Sequence, residues 1–457
     1  MNASQTRITK GDLSTLVRIS LPVMFFLSCE TIAMFCERIF LSHYSPQGVH
    51  CSLNATYLAN IFQSSCMAIG VMAQVFVGRY QGSSQFKKIG PCIWQLIWFS
   101  FLSLLITLPL GLWSSALYFK DSSMQKDGTA YFTILAIGNF LFPLNTSLAS
   151  FYIGRGKTLF VTSLMVIAYA LHLLLCWPLI FGVGHLIPAL GIPGAALAKC
   201  LSLGLFCFIL FSAFLRKKNR ESYATDSWQI SLAALWSYIQ PGTVRAFGIF
   251  WTKISWSVIC YFMIKKGDTY LNVQTIGGTI ITFLMFISTG MYRAILTIAS
   301  NLMGAKNYSE IWRLCRSLII YLSLIALILA IPLLAFPDSL IYFFTTSSHE
   351  LFEKTFKMIN HWVWLYLTLF TIQMSFCALI VATGDFKIQF FCYFLSSFTS
   401  LLPVYLMIYV KNWEPDKLWA VMALENVVFM LIYFYRFQQR KWQERQQSSF
   451  SIQVDEK

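Results

Sequence analysis

Apolar residues run through the chain in unbroken stretches of about twenty or more, the length needed to cross a bilayer, and twelve of them account for most of the sequence. They cover approximately 16–42, 52–77, 91–118, 129–153, 159–183, 189–215, 231–263, 270–299, 315–342, 356–382, 387–410 and 416–436. The runs are continuous and do not alternate with polar positions, so they predict helices that satisfy their own backbone in lipid, not the strands of a barrel. The expected fold class is an all-α membrane protein with twelve transmembrane helices.

Composition supports this reading. With 57% hydrophobic and 12% charged residues among 457, a soluble globular domain is excluded. A net charge of +15 would suit a nucleic-acid partner, but the basic residues follow the turns instead of gathering on one domain. Arg7 and Lys10, then Arg79, Lys87 and Lys88, then Arg155 and Lys157, then Arg216 to Arg220 lie in alternate turns. Lys306, Arg313 and Arg316, Lys387, and Arg436 through Arg445 continue the series. Turns 43–51 and 183–190 lack Lys and Arg, and those near Lys120/Asp121 and Lys265/Asp268 balance them with acids. The positive-inside rule then puts both termini in the cytoplasm of an integral plasma (inner) membrane protein, with the bilayer and not nucleic acid as partner. A monomer is expected.

Several function classes drop out. The first apolar run is too long for a signal peptide and has no small-residue cleavage site. The twelve cysteines lie mostly inside apolar runs, without CxxC spacing, and read as packing residues instead of disulfides or metal ligands. No GxxxxGK[ST] occurs, so ATP is not expected to drive the protein, and no cofactor or metal is implied. Six scattered histidines do not make a membrane enzyme's cluster, and no selectivity-filter sequence marks a channel.

Weak internal repeats set the architecture. Pro22 in "SLPVMF" pairs with Pro241 in "IQPGTV", "SLNATYLAN" from Ser52 with "YLNVQTIGG" from Tyr270, and Gly70 with Gly290. "GRYQGSSQFKKI" answers "NLMGAKNYSEI", and "GRGK" near Gly156 answers "TGDFK" near Gly384. Matches in one order at a nearly constant offset predict two six-helix bundles, 1–215 and 231–436. A cytoplasmic linker (216–230) joins them, and a polar tail follows from 437 to 457. An even number of helices gives both halves one orientation, related by a pseudo-two-fold axis along the membrane normal, the plan of an alternating-access transporter.

Within this apolar background "MFCERIFLSH" keeps Glu37 and Arg38 near the end of the first run. A carboxylate in a span costs about 2.5–3.5 kcal/mol on insertion scales, so it is expected to face a cavity or a partner. Glu30, one heptad earlier, lies on the same helix face.

Several stretches together resemble the multidrug and toxic compound extrusion (MATE) transporters over about residues 15–435. "ISLPVMFFLSCETIAMFCERIFLSHYS" is similar to that family's first helix, with its proline and an acid fifteen residues later, which lands on Glu37. "GVMAQVFVGRYQGSSQFKKI", "CWPLIFG" with "LGIPGAALA", "GMYRAILTIASNLMGAKNYSE" and "IQMSFCALIVATGDFK" resemble its helices 2, 5 to 6, 8 and 10. A major-facilitator transporter also has two six-helix halves, but no acid with paired arginines follows the second run here. The resemblance implies an antiporter that exports an organic, usually cationic and amphipathic, compound in exchange for protons or sodium. A lipid or lipid-linked precursor flippase of related fold, or a sodium-coupled drug exporter, is the alternative. Glu37 would then carry the coupling ion, with His172 and Cys176 at the two polar positions of helix 5. His172 stands where asparagine is commoner, and a titrating side chain there suits proton coupling. The positions matching the acids of helices 7 and 10 hold Thr252, beside Lys253, and Phe370, three residues before Gln373. With no acidic pair there, sodium is disfavoured in that bundle, and Lys253 would suit an anionic substrate. Glu30, Asn139, Asn145, Trp251, Thr252, Lys253, Phe370 and Gln373 are the expected substrate-binding residues.

Overall fold

The computed structural model describes residues 7–120, 125–184, 188–338, 350–440 and 443. The expected polar tail lies outside these residues beyond Arg440, Gln443 excepted. Among the described residues, twelve helices are long and apolar enough to cross a membrane. They are α1 (Leu13–Tyr44), α2 (Gln47–Gly82), α3 (Phe86–Tyr118), α4 (Gln125–Ile153), α5 (Thr158–Phe181) and α6 (Ile192–Phe214), then α7 (Leu232–Lys266), α8 (Asp268–Gly304), α9 (Tyr308–Ala335), α10 (Glu353–Thr383), α11 (Phe386–Val410) and α12 (Lys417–Gln438). Each corresponds to one predicted apolar run. Pro22 and Pro241 sit inside the unbroken helices α1 and α7. In α4, by contrast, Pro143 has no N–H to return to the carbonyl of Asn139, and the helix tightens to a 3-10 turn over Gly138–Phe140.

The chain divides into two compact units. The first holds Phe25–Phe250 with the described parts of Met1–Thr9 and Gly304–Lys306; the second holds Lys10–Met24, Trp251–Met303 and the described part of Asn307–Lys457. The borders fall inside α1 and α7, so the expected linker and residues 231–250 belong to the first unit.

Small residues decide the packing of the first unit. Lipid offers no hydrophobic force between helices, so association rests on close contact, which small side chains permit. Ala55 and Ala59 of α2 and Ala195, Ala196 and Ala198 of α6 are buried around Tyr131, Phe132 and Leu135 of α4 and Cys176 and Ile180 of α5. The turn from α5 to α6 is closed by the Leu190 and Gly191 amides, which donate to the Leu179 and Ile180 carbonyls at 3.0 and 3.1 Å. Gly191 turns there at φ 63°, and a Cβ on Gly194 would come within 2.3 Å of the Leu179 carbonyl oxygen.

After the short helix Lys217–Tyr223, the segment leading to α7 is strapped along α3. The Trp94 indole donates to the Thr225 carbonyl at 2.8 Å, the Gln95 amide to Gln229 at 2.8 Å, and the Trp98 indole to Trp228 at 2.9 Å. Tyr238 of α7 then meets the Tyr80 hydroxyl at 3.1 Å and packs edge-on against Phe76.

In the second unit α10 and α12 pack along much of their length. The Trp419 indole of α12 donates to the Val273 carbonyl of α8 at 3.2 Å, and the Ser288 and Thr371 hydroxyls join α8 to α10 at 2.7 Å. The start of α1 is tied to α9, where the Gly11 amide donates to Glu310 Oε2 at 2.8 Å and the Ser317 hydroxyl donates to the Gly11 carbonyl at 3.1 Å.

Candidate functional site

The small-residue core of the first unit draws α1, α2, α4, α5 and α6 together around Glu37, which is 6% exposed. His172 Nε2 of α5 lies 3.2 Å from Glu37 Oε2, and the Tyr131 hydroxyl of α4 donates to Oε1 at 3.0 Å. Thr56 of α2 sits 3.1 Å behind the Tyr131 oxygen. His172 Nδ1 is buried without a partner, so the tautomer with its hydrogen on Nε2 is the one that bonds the carboxylate. Both carboxylate oxygens therefore receive donors, and a chain of two hydroxyls leads away from one of them.

Glu37 and His172, both expected at the ion-coupling site, are thus in hydrogen-bond contact. Cys176, one turn beyond His172, is fully buried in the adjoining core. Glu30 does not line the small void beside Glu37, which Arg38 of α1 and Lys199 of α6 do line. Tyr131, Thr56 and Lys199 escaped sequence reasoning. Lys199 had a signal, a lone ammonium in the apolar run "GAALAKCLSLG", of the same kind that marked Glu37. Tyr131 and Thr56 had none, because one tyrosine or threonine in a span is ordinary.

The second unit encloses a cavity of about 150 Å³. Thr252 of α7 and Phe370 and Gln373 of α10, three of the expected substrate-binding residues, line it together with Glu425 of α12. Positions 252 and 370 carry no acid and no acidic pair lines the cavity, but α12 supplies one carboxylate that the sequence reading did not weigh. The Thr399 hydroxyl lies 3.3 Å from Glu425 Oε1, and the Gln373 amide oxygen is buried in the wall without a partner. Rings complete the site. Tyr366 stacks on Phe370 with centroids 5.7 Å apart, and Trp256 and Tyr433 also face the space. Glu425, in "ALENVVF" within the last apolar run, was as legible as Glu37 and went unread.

The other predicted residues lie elsewhere. Asn139 is buried in the first unit, donating to Thr107 Oγ1 at 3.0 Å, and is held by packing. Asn145, on the same helix, buries an amide oxygen that has no hydrogen-bond partner. Trp251 stacks on Phe394 at 6.1 Å and Lys253 is half-buried, and neither forms part of the cavity wall.

Comparison with known proteins agrees with the resemblance. Over 320 residues the chain is 22% identical to Protein DETOXIFICATION 1 of Arabidopsis thaliana, a match taking 65% of this chain and 62% of that protein. The chain thus spans less than two thirds of that relative's length. Its fold is similar to the outward-facing conformation of a multidrug resistance MATE family transporter of the MOP superfamily, with a TM-score of 0.79 at 18% identity, over 96% of this chain and 98% of that one. It is likewise similar to the eukaryotic MATE transporter AtDTX14, with a TM-score of 0.82 at 16% identity over 95% and 97% of the two chains. Residues 22–178 and 247–406, more than half of the sequence, match the MatE family. The chain belongs to that family, the multidrug and toxic compound extrusion transporters.

Proposed function

We propose that the protein is a proton-coupled antiporter exporting an organic, cationic and amphipathic compound by alternating access. Its first unit would carry the proton and its second the substrate. The observation that carries this reading is the buried contact of Glu37 with His172 and Tyr131, between three of the helices long and apolar enough to cross a membrane. A buried carboxylate with a donor on each oxygen is fully satisfied when ionised. When it takes a proton on Oε1, the hydroxyl chain can turn over: Glu37 then donates to Tyr131, and Tyr131 donates to Thr56. The two protonation states thus differ in the direction of a hydrogen-bond chain linking α1, α4 and α2. In each state both carboxylate oxygens keep a hydrogen-bond partner, as a two-state switch requires. The partners of Glu37 are N–H and O–H donors and not the several hard oxygen acceptors a sodium ion needs, which favours protons there.

The cavity of the second unit suits a small organic cation, with one carboxylate for charge and several rings for its apolar surface. We place the protein in the plasma (inner) membrane as a monomer with both termini in the cytoplasm, because its basic turns alternate. The test is transport of a cationic dye into proteoliposomes under an imposed proton or sodium gradient. Dye should follow the proton gradient, and Glu37→Gln should abolish that movement while purified protein remains folded. Dye that follows sodium, or proton-driven transport unchanged in Glu37→Gln, would refute the coupling. Glu425→Gln should raise the KM for the dye roughly tenfold, the loss of about 1.4 kcal/mol of binding, with kcat little changed.

A further inference from the structure

The charges around Glu37 do not balance. The void beside it, about 20 Å³, is lined by Glu37, Arg38, Ser52, Thr56, Tyr131 and Lys199. Lys199 lies within electrostatic reach of the carboxylate, with its ammonium also 5.8 Å above the Phe142 ring. Two fixed cations thus accompany one carboxylate.

Among the described residues, the remaining groups facing Glu37 do not repair this. His172 and Cys176 of α5 and Tyr131 of α4 contribute no fixed negative charge, and α2 contributes only hydroxyls. Asp127, one turn before Tyr131, is exposed and does not line the void. An ionised Glu37 compensates one of the two cations. Protonation, on which the coupling reading rests, removes even that and leaves both half-buried cations without a counter-charge within apolar helices, where unpaired charge is costly.

We propose that this void is an anion site, filled when Glu37 is neutral by one small monovalent anion. The anion is a free halide. The space is that of a single water-sized particle. Arg38 and Lys199 supply charge-assisted donors, and the Thr56 and Tyr131 hydroxyls can turn toward it. Proton and anion then enter together, and the site stays near one net charge through the cycle.

The test uses the purified full chain and radioactive chloride in a scintillation proximity assay. Glu37→Gln fixes the neutral state, and it should bind chloride saturably, whereas the unmodified chain should do so only as the pH is lowered. Adding Lys199→Met to Glu37→Gln should weaken binding at least tenfold, and Lys199→Arg should restore it. Arg38→Gln serves as an independent second removal should Lys199→Met fail to fold. Bromide should compete and gluconate should not; displacement by gluconate as effective as that by bromide would overturn the proposal. No saturable chloride binding by Glu37→Gln, or binding that survives loss of both cations, overturns the proposal. The assay measures binding without transport, so it decides the anion site even if coupling to protons fails.

Discussion

Tyr131 shows what one hydroxyl contributes. It donates to Glu37 Oε1 and meets Thr56, so Tyr131→Phe removes a charge-assisted bond and cuts the hydroxyl chain while keeping the ring in its packed place. Such a bond is worth about 1.5–3 kcal/mol. Proton-driven transport should therefore fall on the order of tenfold to a hundredfold, and Thr56→Val, which spares the bond to the carboxylate, should cost less. Initial rates of dye uptake at one pH gradient check both. At this scale the sequence was legible wherever a charge interrupts an apolar run. Glu37 was read in that way, and His172 came from the family resemblance. Glu425 and Lys199 carry the same mark, but neither stands at a position where the family resemblance places a functional charge. What no single sequence displays is the partner across space: nothing in "AYFTIL" says that Tyr131 reaches a residue ninety-four positions away.

At the scale of elements, the site depends on how closely helices approach. The end of α5 and the start of α6 meet with no room for a Cβ on Gly194. Gly194→Ala should push α6 from the Leu179 carbonyl and destabilise the protein by about 1–3 kcal/mol, read as a lower melting temperature in detergent. At the start of α1 the Asp12 carboxylate accepts the Thr15 amide at 3.0 Å. Hydrogen bonds from the Thr15 side chain and amide hold its carboxyl below the ordinary carboxylate range. A lowered native value means stability that is present above the unfolded carboxyl's value and lost as the pH falls through the native one. Asp12→Ala should therefore lower the melting temperature at neutral pH, at a cost of about 1 kcal/mol for a lost cap. The difference from the unmodified chain should vanish in acid. The helices themselves were plain in the sequence, because a membrane span advertises its length. Their contacts were not, since an alanine that admits a neighbouring helix and one that faces lipid read alike.

Across the whole molecule, the apolar runs marked twelve helices, the repeat of prolines, glycines and basic turns suggested two halves, and motif stretches pointed to the family. Composition gives no hint that residues 231–250 belong with the first unit, because their attachment comes from Tyr238 against Tyr80 and Phe76 and from side chains of α3. The strap along α3 has a consequence for how the chain could be made in pieces. A break after Asp226 falls between two carbonyls, those of Thr225 and Trp228, each held by its own tryptophan. Both new ends would stay anchored, and the second fragment would still bring Tyr238 to the first. Two genes encoding 1–226 and 227–457 should therefore complement when expressed together, their products co-purifying through a tag on one alone, and Trp94→Ala with Trp98→Ala should abolish that recovery.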